Sequence, residues 1–431
     1  MDYLSRLLSK DIEKWLERRE IIAITGPRQC GKTTLLAMLK DYLIEQKKVQ
    51  PDRILYVTFE DRDLLDSFTK HPKEFIQSFT AQSKEEKFYF LIDEFQYVKE
   101  GGQKLKLLYD LYENVKFIIT GSSSLELKGV TAKYLVGRIF YFSLFQFNFE
   151  EFLETKPPQV LHSYQETAAL AGDFILKDKK FEIPAEVFEK DIAGCFEEYV
   201  IFGGYPEVIK TDDMDAKHLI LKNIYATYIS KDIVELLRVE DVSGCRNIIA
   251  SLANQIGSLL NYNSLATDAK SYFKQIKQYL FMLEETFVIR RISPYFTNKA
   301  TELKKNPKVY FVDTGLRNHI INNFNPCEIR PDAGALVENT VLSQFCSRNY
   351  ESIRYWRTMG KAEVDFILDI NNEIIPFEIK YSLFKFPEIT RGFRNFINEY
   401  KPRRAIVFTK SFWAELDIGA TKVLFIPVMY A

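Results

Sequence analysis

The sequence feature that most constrains the fold is the stretch GPRQCGKT at residues 26–33. It follows the apolar run 21–24, which has the length of a strand, and it precedes 34–39, which opens a helix. Glycines permit the tight backbone path in which N–H groups point at phosphate oxygens, and the helix that follows adds the positive end of its dipole. The order strand, loop, helix therefore predicts a phosphate-binding loop.

Two side chains of this loop have distinct predicted roles. Lys32 is expected to reach the β- and γ-phosphates of ATP, and the Thr33 hydroxyl is expected to bind Mg²⁺. Cys30 lies beside a helix start and near Lys32, so it is either a reactive thiol that bound ATP shields or an inert residue filling the loop. The predicted nucleotide-binding residues of the loop are Gly26, Pro27, Arg28, Gln29, Cys30, Gly31, Lys32, Thr33 and Thr34.

Acidic residues follow two further strand-like runs. The run 53–59 ends in Glu60 and Asp61, and the run 88–92 ends in Asp93 and Glu94. Ligands bind at the carboxyl ends of strands in open α/β sheets. Asp93 is therefore expected to hold Mg²⁺ and Glu94 to activate the attacking water, whereas Glu60 and Asp61 lie either near the nucleotide or in an ordinary acidic loop.

The fourth and fifth strands are expected at 115–120 and 139–144. Ser122 follows the fourth strand, where its hydroxyl would contact the γ-phosphate or the attacking water; the alternative is a turn that leads into a helix. Arg138 precedes the fifth strand and would neutralise charge on the γ-phosphate, in its own subunit or in a neighbour. A surface salt bridge is the alternative for Arg138.

Composition limits the class of protein. A chain of 431 residues with 46% hydrophobic and 27% charged residues predicts two to four globular domains. No apolar run approaches the roughly 20 residues that span a bilayer, and the first twenty residues resemble an amphipathic helix more than a signal peptide. Five cysteines without a C-x-x-C pair favour the reducing cytoplasm. With a net charge of −1, any contact with nucleic acid would depend on local basic patches.

The middle of the chain has helical periodicity. A helix at 217–237 would form a lid beside the nucleotide, and three helices at 248–256, 262–269 and 271–283 precede strand-like runs. Three helices and a hairpin (287–292 and 308–312) predict a winged helix whose third helix reads DNA; a plain packing module is the alternative. The cations available for phosphate contact are Lys274, Lys277, Arg290, Arg291, Lys299, Lys304, Lys305 and Lys308.

The C-terminal part contains a second candidate site. Asp365 and the run Glu378-Ile379-Lys380 match the D…(D/E)-x-K arrangement of restriction-type nucleases, on strands expected at 363–368 and 374–380. Alternation places Glu378 and Lys380 on one face, so the two carboxylates can hold Mg²⁺ while Lys380 places or activates water. Glu338, in a helix expected at 337–342, resembles the extra acid of some such nucleases. Five further cations would form either a phosphate-binding rim or part of a solvated helix: Arg391, Arg394, Lys401, Arg403 and Arg404.

The chain resembles AAA-type ATPases of bacteria and archaea that carry a nuclease-like C-terminal domain of unknown function. The resemblance rests on GPRQ and GKT in the loop, and on DEFQ at 93–96, TGSS at 120–123, GR at 137–138, GGYP at 203–206 and EVDF at 363–366. It implies an α/β ATPase core with a parallel sheet (1–152), a helical lid (153–240), a winged helix (241–315) and a restriction-endonuclease-like α/β domain (316–431). The polar stretch at about 155–190 departs from this pattern and resembles an insertion.

Two functional hypotheses follow. The first is an Mg²⁺-dependent ATPase that acts on DNA and controls the access of a nuclease-like domain to its substrate. The second is a signalling or scaffold ATPase whose nucleotide state controls binding of a protein partner, with a catalytically inactive nuclease fold. ATP and DNA are the expected ligands under the first hypothesis, and a homo-oligomer is one expected assembly.

Overall fold

A computed structural model describes the chain except residues 1–2, 81–85, 123–128, 130, 132, 178, 180–182, 184–186, 237–238, 296–305 and 351. The chain divides into two compact units. The N-terminal unit comprises residues 1–146 with 285–287, and the C-terminal unit comprises 147–284 with 288–431. None of the helices in the described ranges has the length and apolar character needed to cross a bilayer.

The N-terminal unit is built on a five-stranded sheet with the order β2-β3-β4-β1-β5. All four strand pairings are parallel, and the five predicted strands are confirmed. Their sequences are continuous apolar runs because helices cover both faces of the sheet. The strands are β1 (Ile21–Thr25), β2 (Ile54–Thr58), β3 (Phe88–Asp93), β4 (Val115–Gly121) and β5 (Ile139–Ser143).

Helices of the N-terminal unit bury their apolar faces against alternate residues of the strands. In β1, Ile22 and Ile24 belong to the core that contains α1 and α2, whereas Ile21 and Ala23 belong to the core that contains α3, α4 and α5. This two-residue alternation makes the sheet the middle of three layers. The helices are α1 (Leu7–Glu13), α2 (Lys32–Glu45), α3 (Arg62–Lys70), α4 (Pro72–Thr80) and α5 (Gly101–Leu111).

The first half of the C-terminal unit is helical. Its elements are α6 (Phe149–Leu153), α7 (Pro158–Lys177), α8 (Glu189–Phe202), α9 (Pro206–Ile209), α10 (Met214–Thr227), a π-helix (Tyr228–Leu236), α11 (Val242–Asn254), α12 (Tyr262–Asp268) and α13 (Phe273–Glu285). The polar stretch expected to be an insertion contains α7. This helix is part of the packed unit, because Tyr164 is fully buried and its ring stacks on Tyr430 with centroids 5.7 Å apart.

An eight-stranded sheet with the order β12-β13-β11-β10-β9-β8-β6-β7 completes the C-terminal unit. Its strands are β6 (Ile289–Pro294), β7 (Lys308–Phe311), β8 (Ile353–Arg357), β9 (Glu363–Ile370), β10 (Glu373–Lys380), β11 (Arg404–Thr409), β12 (Ala414–Ile418) and β13 (Thr421–Pro427). The helices are α14 (Thr314–Ile320), α15 (Ala333–Ser347) and α16 (Arg391–Tyr400). Short 3₁₀ turns occur at Pro51–Arg53, Phe95–Tyr97, Cys327–Ile329 and Val428–Tyr430.

The predicted hairpin forms, but it belongs to this large sheet. Strands β6 and β7 pair in antiparallel fashion, and Ser293 and Pro294 of β6 pair in parallel with Arg354 and Tyr355 of β8. The predicted winged helix and the predicted nuclease-like domain therefore contribute strands to one sheet. The division of the chain into four domains, and the winged-helix and endonuclease-like assignments, stay predictions.

Candidate nucleotide-binding site and C-terminal carboxylate cluster

The loop between β1 and α2 follows a path that requires glycine. A Cβ atom on Gly26 would lie 2.0 Å from the carbonyl oxygen of Leu144, so a larger residue would displace the backbone. Gly31 caps α2 with a φ of 99°, in the region that glycine adopts without strain. Arg28 is partly buried, while Gln29 and Thr34 are exposed on the loop and first turn. Strand and helix thus hold the loop at the carboxyl edge of the sheet.

Lys32 turns its side chain back into this loop. Its Nζ donates hydrogen bonds to the carbonyl oxygens of Gly26 at 3.0 Å and Pro27 at 2.8 Å, and the residue is buried. These two acceptors keep the ammonium group within the loop, where a phosphate would compete for it. Lys32 is the first residue of α2, so the helix start fixes its backbone.

At the end of β3, the Asp93 carboxylate accepts hydrogen bonds from three hydroxyl groups. Its Oδ2 accepts hydrogen bonds from the Thr33 hydroxyl at 2.6 Å and the Tyr56 hydroxyl at 3.3 Å, and its Oδ1 accepts one from Thr120. Burial, and then the Asp93 carboxylate, raise the pKa of Tyr56 to about 12. Mg²⁺ prefers oxygen ligands such as a carboxylate and a hydroxyl. Because Thr33 and Asp93 already touch, the residues present fit the metal.

Glu94 is held beside Asp93 by a second set of contacts. Its backbone is left-handed with a φ of 56°, and its N–H donates to the Thr120 hydroxyl at 3.1 Å. The Gln96 amide donates to the Glu94 carboxylate, and it also donates to the Ser122 hydroxyl at 3.2 Å. Ser122 therefore reaches Glu94 through Gln96. The structure brings together Lys32, Thr33, Asp93, Glu94 and Ser122 as predicted neighbours of one sheet edge.

Sequence reasoning missed the roles of Thr120, Gln96, Tyr56 and Arg6. Thr120 has a hydroxyl at the end of β4, and Gln96 has an amide two residues after Glu94. A polar residue beside the end of a strand is the sequence signal that could have identified both. No such signal marks Arg6 in the sequence. Its buried guanidinium donates to the carbonyl oxygens of Cys30 at 3.0 Å and Phe145 at 2.6 Å. Arg6 therefore stabilises the loop through backbone contacts.

The reactive-thiol hypothesis for Cys30 is wrong. The residue is fully buried, and its Sγ lies 3.4 Å from the Leu144 carbonyl oxygen. Burial raises the pKa of the Cys30 thiol more than the nearby Lys32 and Arg6 lower it. Cys30 fills the loop from inside, as the alternative interpretation stated.

The prediction for Arg138 is wrong for its own subunit, while contact with a nucleotide in a neighbouring subunit stays a prediction. The Arg138 carbonyl oxygen accepts a hydrogen bond from Ile21 N at 2.8 Å, which places Arg138 at the amino end of the parallel strands. The phosphate-binding loop lies at the opposite, carboxyl end, so Arg138 does not contact a nucleotide in its own chain. Its guanidinium pairs instead with Asp110 at 3.1 Å, the salt bridge of the alternative interpretation.

Asp61, in turn, caps α3 by accepting from the N–H groups of Asp63 and Leu64.

The C-terminal site residues lie on neighbouring antiparallel strands, β9 and β10. Asp365 Oδ2 accepts a hydrogen bond from Ile379 N at 2.7 Å. Loss of hydration, and then the nearby Glu338, raise the pKa of Asp365 to about 8. Glu378 is only 3% exposed, and its Oε1 contacts Lys380 Nζ at 3.1 Å and the Thr390 hydroxyl at 2.7 Å. Its Oε2 is buried and has no hydrogen-bond partner.

Glu338 is drawn into a different set of contacts. It accepts hydrogen bonds from Lys308 Nζ at 3.2 Å and from the Tyr310 hydroxyl at 2.5 Å, and Lys308 also pairs with Glu363. Among the described residues, no group of three or more His, Cys, Asp and Glu side chains is placed to hold a metal ion. The predicted metal ligands Glu338, Asp365 and Glu378 do not form such a group, because Lys308 and Tyr310 hold the Glu338 carboxylate.

The predicted DNA-contacting cations separate into buried and exposed sets. Lys308 is buried in the carboxylate cluster, and Arg404 is buried with its guanidinium on the Phe174 carbonyl oxygen and Glu373, so neither is available to a phosphate. Arg291 pairs with Glu284. The exposed cations are Lys274, Lys277, Arg391, Arg394, Lys401 and Arg403. Lys299, Lys304 and Lys305 lie outside the described residues.

Comparison with known proteins agrees with the geometry of the N-terminal unit. Residues 18–153 match the family described as AAA domain. Residues 194–326 and 333–427 match two families that are each described as a domain of unknown function, DUF8612 and DUF4143. The stretch that matches the AAA domain family contains the loop, Asp93 and Glu94 at one edge of a parallel sheet, so the N-terminal unit is similar to AAA-type P-loop ATPases in both sequence and site geometry.

Relatives extend over most of the chain. An uncharacterized protein of Haemophilus influenzae is 28% identical over 413 residues, which is 94% of this chain and 93% of that protein. An uncharacterized protein of Methanocaldococcus jannaschii is 26% identical over 370 residues, 84% of this chain and 76% of that protein. The Walker-type ATPase of Pyrococcus abyssi is 16% identical in sequence and aligns with a TM-score of 0.45 over 74% of this chain and 96% of that structure.

Proposed function

We propose that the N-terminal unit binds ATP with Mg²⁺ and hydrolyses it. The observation that carries this proposal is the hydrogen-bonded set Thr33, Asp93, Thr120 and Glu94, which joins the phosphate loop to the acid that follows β3. Thr33 and Asp93 would hold Mg²⁺, and Lys32 would exchange its two loop carbonyls for phosphate oxygens. The bound Mg²⁺–ATP supplies the phosphoryl group that water attacks.

Glu94 is the group that would accept a proton from the attacking water. A general base must be held within hydrogen-bonding reach of its proton donor. The Gln96 amide and the Thr120 contact to the Glu94 N–H fix the carboxylate at the sheet edge. Gln96 is therefore a positioning residue in this proposal, and Ser122 supports it from the end of β4.

The test separates binding from chemistry. Lys32→Ala should lose most ATP binding, since it removes the cation that faces the phosphates. Glu94→Gln should keep binding but slow hydrolysis by about a hundredfold or more, because only the base is lost. Glu100→Gln is the matched control, since Glu100 is an exposed glutamate with the same left-handed backbone, φ 56°. Normal hydrolysis by Glu94→Gln would refute the assignment of the base.

We further propose that the C-terminal unit acts on DNA through Asp365, Glu378 and Lys380. The support is the unpartnered, buried Oε2 of Glu378 beside Lys380, on a strand next to Asp365. Two carboxylates would hold Mg²⁺ against a phosphodiester, and Lys380 would place the attacking water. The exposed Lys274 and Lys277 of α13, with the exposed rings of Tyr272 and Phe273, offer a surface for phosphates and bases.

Cleavage and ATP hydrolysis should separate in variants of this site. Asp365→Asn or Glu378→Gln should abolish metal-dependent strand cleavage and leave ATPase activity intact, while Lys380→Ala should impair cleavage and keep metal binding. Asp369→Asn is the matched control, because Asp369 lies on the same face of β9 and is exposed. Cleavage that persists in Asp365→Asn would contradict the proposal.

One observation favours the alternative function, a scaffold ATPase with an inactive nuclease fold. No group of three or more metal-binding side chains is preformed in the described part of the chain. If the protein cuts neither DNA nor RNA with Mg²⁺ or Mn²⁺, and its ATPase rate does not respond to DNA, this alternative replaces the nuclease proposal. Gel-shift assays with single-stranded, duplex and branched DNA, with and without ATP, distinguish a DNA-binding remnant from a protein-binding one.

A further inference from the structure

A cavity lies between α7 and the large sheet of the C-terminal unit. Its volume is about 290 Å³, at the lower end of the roughly 300–1,000 Å³ of ligand pockets, so it has room for one small molecule. Strands β9, β10 and β11 are neighbours, and strand alternation places one floor residue of each on the same face of the sheet. The floor residues, all of them buried, are Phe345 of α15, Leu368 of β9, Phe377 of β10 and Phe408 of β11.

Helix α7 forms one wall of the cavity and is fixed on both sides of it. Tyr164 stacks on Tyr430 with ring centroids 5.7 Å apart, and the Arg404 guanidinium donates to the Phe174 carbonyl oxygen at 2.9 Å. The cavity-lining residues between these two contacts are small: Ala168, Ala169 and Gly172. A Cβ atom on Gly172 would meet no atom within 4 Å outside its own helix and chain neighbours. The two contacts therefore hold α7 in place while the small residues leave the space beside it open.

The floor favours a flat aromatic ligand. The rings of Phe345 and Phe377 have centroids 5.1 Å apart in an edge-to-face arrangement, and those of Phe377 and Phe408 stack at 5.8 Å. Aromatic rings attract one another in these two geometries at centroid distances of about 4.5–7 Å. A planar ring in the cavity would extend this series, and it would fit between the floor and the small residues of α7.

The rim carries one cation that lacks a charged partner. Arg348 follows α15, lines the cavity and is exposed. Burial raises the pKa of Tyr164 to about 12 and also raises that of Tyr350, and the nearby Arg348 lowers both, so its guanidinium lies beside the two rings. Within the described ranges, no carboxylate forms an ion pair with Arg348. Glu150 also lines the cavity, but it accepts from the neutral Gln165 amide at 2.9 Å.

We propose that this cavity binds a small aromatic carboxylic acid, with its ring on the aromatic floor and its carboxylate on Arg348. A guanidinium matches a carboxylate in charge and in its paired hydrogen bonds. The ligand carries a single negative charge in this proposal, because Glu150 would repel a second one. The inference concerns a site separate from the nucleotide loop and from Asp365 and Glu378, and it rests on neither proposed activity.

The experiment titrates the full chain, without nucleotide, with three compounds of one shape in calorimetry. Naphthoate is negative, naphthamide is neutral and naphthamidine is positive at neutral pH. Naphthoate should bind once per chain with a Kd below about 1 mM, as its size allows. Naphthamide should bind about tenfold more weakly, since it lacks the charge-assisted contact. Naphthamidine should bind most weakly, because its charge is that of Arg348.

Two variants locate the binding. Arg348→Gln should reduce the naphthoate affinity about tenfold, to that of naphthamide, while naphthamide binding stays unchanged. Arg394→Gln is the matched control, because Arg394 is an exposed arginine of α16 that does not line the cavity. Gly172→Leu should abolish binding of naphthoate and naphthamide, since its side chain fills the cavity. Its melting temperature should equal or exceed that of the parent, because leucine is a better helix former than glycine.

The proposal is overturned if none of the three compounds binds, or if naphthamidine binds as tightly as naphthoate. Naphthoate binding that is unchanged in Arg348→Gln removes the role of the guanidinium and also overturns it. Unchanged binding in a folded Gly172→Leu variant places the compound elsewhere on the chain. A parent dimer that Gly172→Leu dissociates, with no binding of naphthoate, shows that a second copy occupies the cavity instead. If Gly172→Leu does not fold, the exposed Arg348→Gln decides between the outcomes.

Discussion

The Thr120 hydroxyl can be removed with little change in shape, which makes it a sharp test of the nucleotide site. It donates to Asp93 Oδ1 and accepts from Glu94 N at 3.1 Å, and the residue is fully buried. Thr120→Val replaces the hydroxyl by a methyl group. No cavity forms, so the effects come from two polar groups that lose their partner.

The magnitude follows from those two groups. Leaving a buried donor or acceptor unpaired costs about 1–3 kcal/mol, with more for a charged group. Asp93 keeps its contacts with Thr33 and Tyr56, so we expect the N-terminal unit to lose about 2–4 kcal/mol of unfolding free energy. Glu94 loses the bond that holds its backbone, and misplacing a catalytic group by about 1 Å can reduce kcat by about a hundredfold.

The assay measures kcat by phosphate release, nucleotide affinity with a fluorescent ATP analogue, and unfolding in urea. We expect a large fall in kcat with a small change in affinity, because Lys32 and the loop are untouched. Thr58→Val is the matched control, since Thr58 ends β2, which pairs with β3, and its hydroxyl accepts from the exposed Glu60 N at 3.3 Å. An unchanged kcat for Thr120→Val, in a protein that has lost stability, would refute the positioning role of the hydroxyl.

Two further predictions concern buried titratable groups. Cys30 should be alkylated more slowly than the half-buried Cys195, with or without MgATP, because Cys30 is fully buried; mass spectrometry after iodoacetamide treatment would show the order, and fast labelling of Cys30 would contradict its placement. Burial raises the pKa of Asp313 to about 6 from 3.8, so the folded state holds this proton more tightly than the unfolded chain. The stabilising contribution of Asp313 is therefore complete below about pH 4 and is lost as the pH rises through 6, by about 3 kcal/mol in all. In urea unfolding between pH 4 and 7, the parent should lose about 3 kcal/mol more stability than Asp313→Asn, and equal slopes would contradict the prediction.

The sequence predicts the N-terminal sheet well because each strand is a continuous apolar run between polar ends. A strand that is buried on both faces needs a continuous apolar run. The loop after β1 lies at the carboxyl edge of the sheet, where the polar residues that follow the other parallel strands are also expected. In the C-terminal unit the strands expected at 363–368 and 374–380 also form, whereas β11, β12 and β13 were not predicted. The local pattern was therefore sufficient for the N-terminal sheet and for only part of the C-terminal sheet.

The corrections have different physical origins. Arg138 precedes β5, and in a parallel sheet a residue before a strand lies at the edge opposite to the ligands. Its position in the sequence was therefore enough to exclude contact with a nucleotide in its own chain. The burial of Cys30 depends on the Leu144 carbonyl, which lies 114 residues away in the chain. The pairing of Lys308 with Glu338 depends on a helix 30 residues away. Contacts of this kind follow from tertiary packing, and the spacing of residues in the sequence does not predict them.

The shared sheet has a consequence for how the C-terminal unit could respond to a ligand. The hairpin β6–β7 follows α13 directly, it pairs with β8, and Tyr295 N donates to the Tyr355 carbonyl oxygen at 2.5 Å. Lys308 of the same hairpin is ion-paired to Glu338 and Glu363. Moving the hairpin away from the C-terminal strands would break these backbone bonds and leave buried charges unpaired, at a cost of several kcal/mol. We therefore expect the hairpin and the carboxylate cluster to move together as one body.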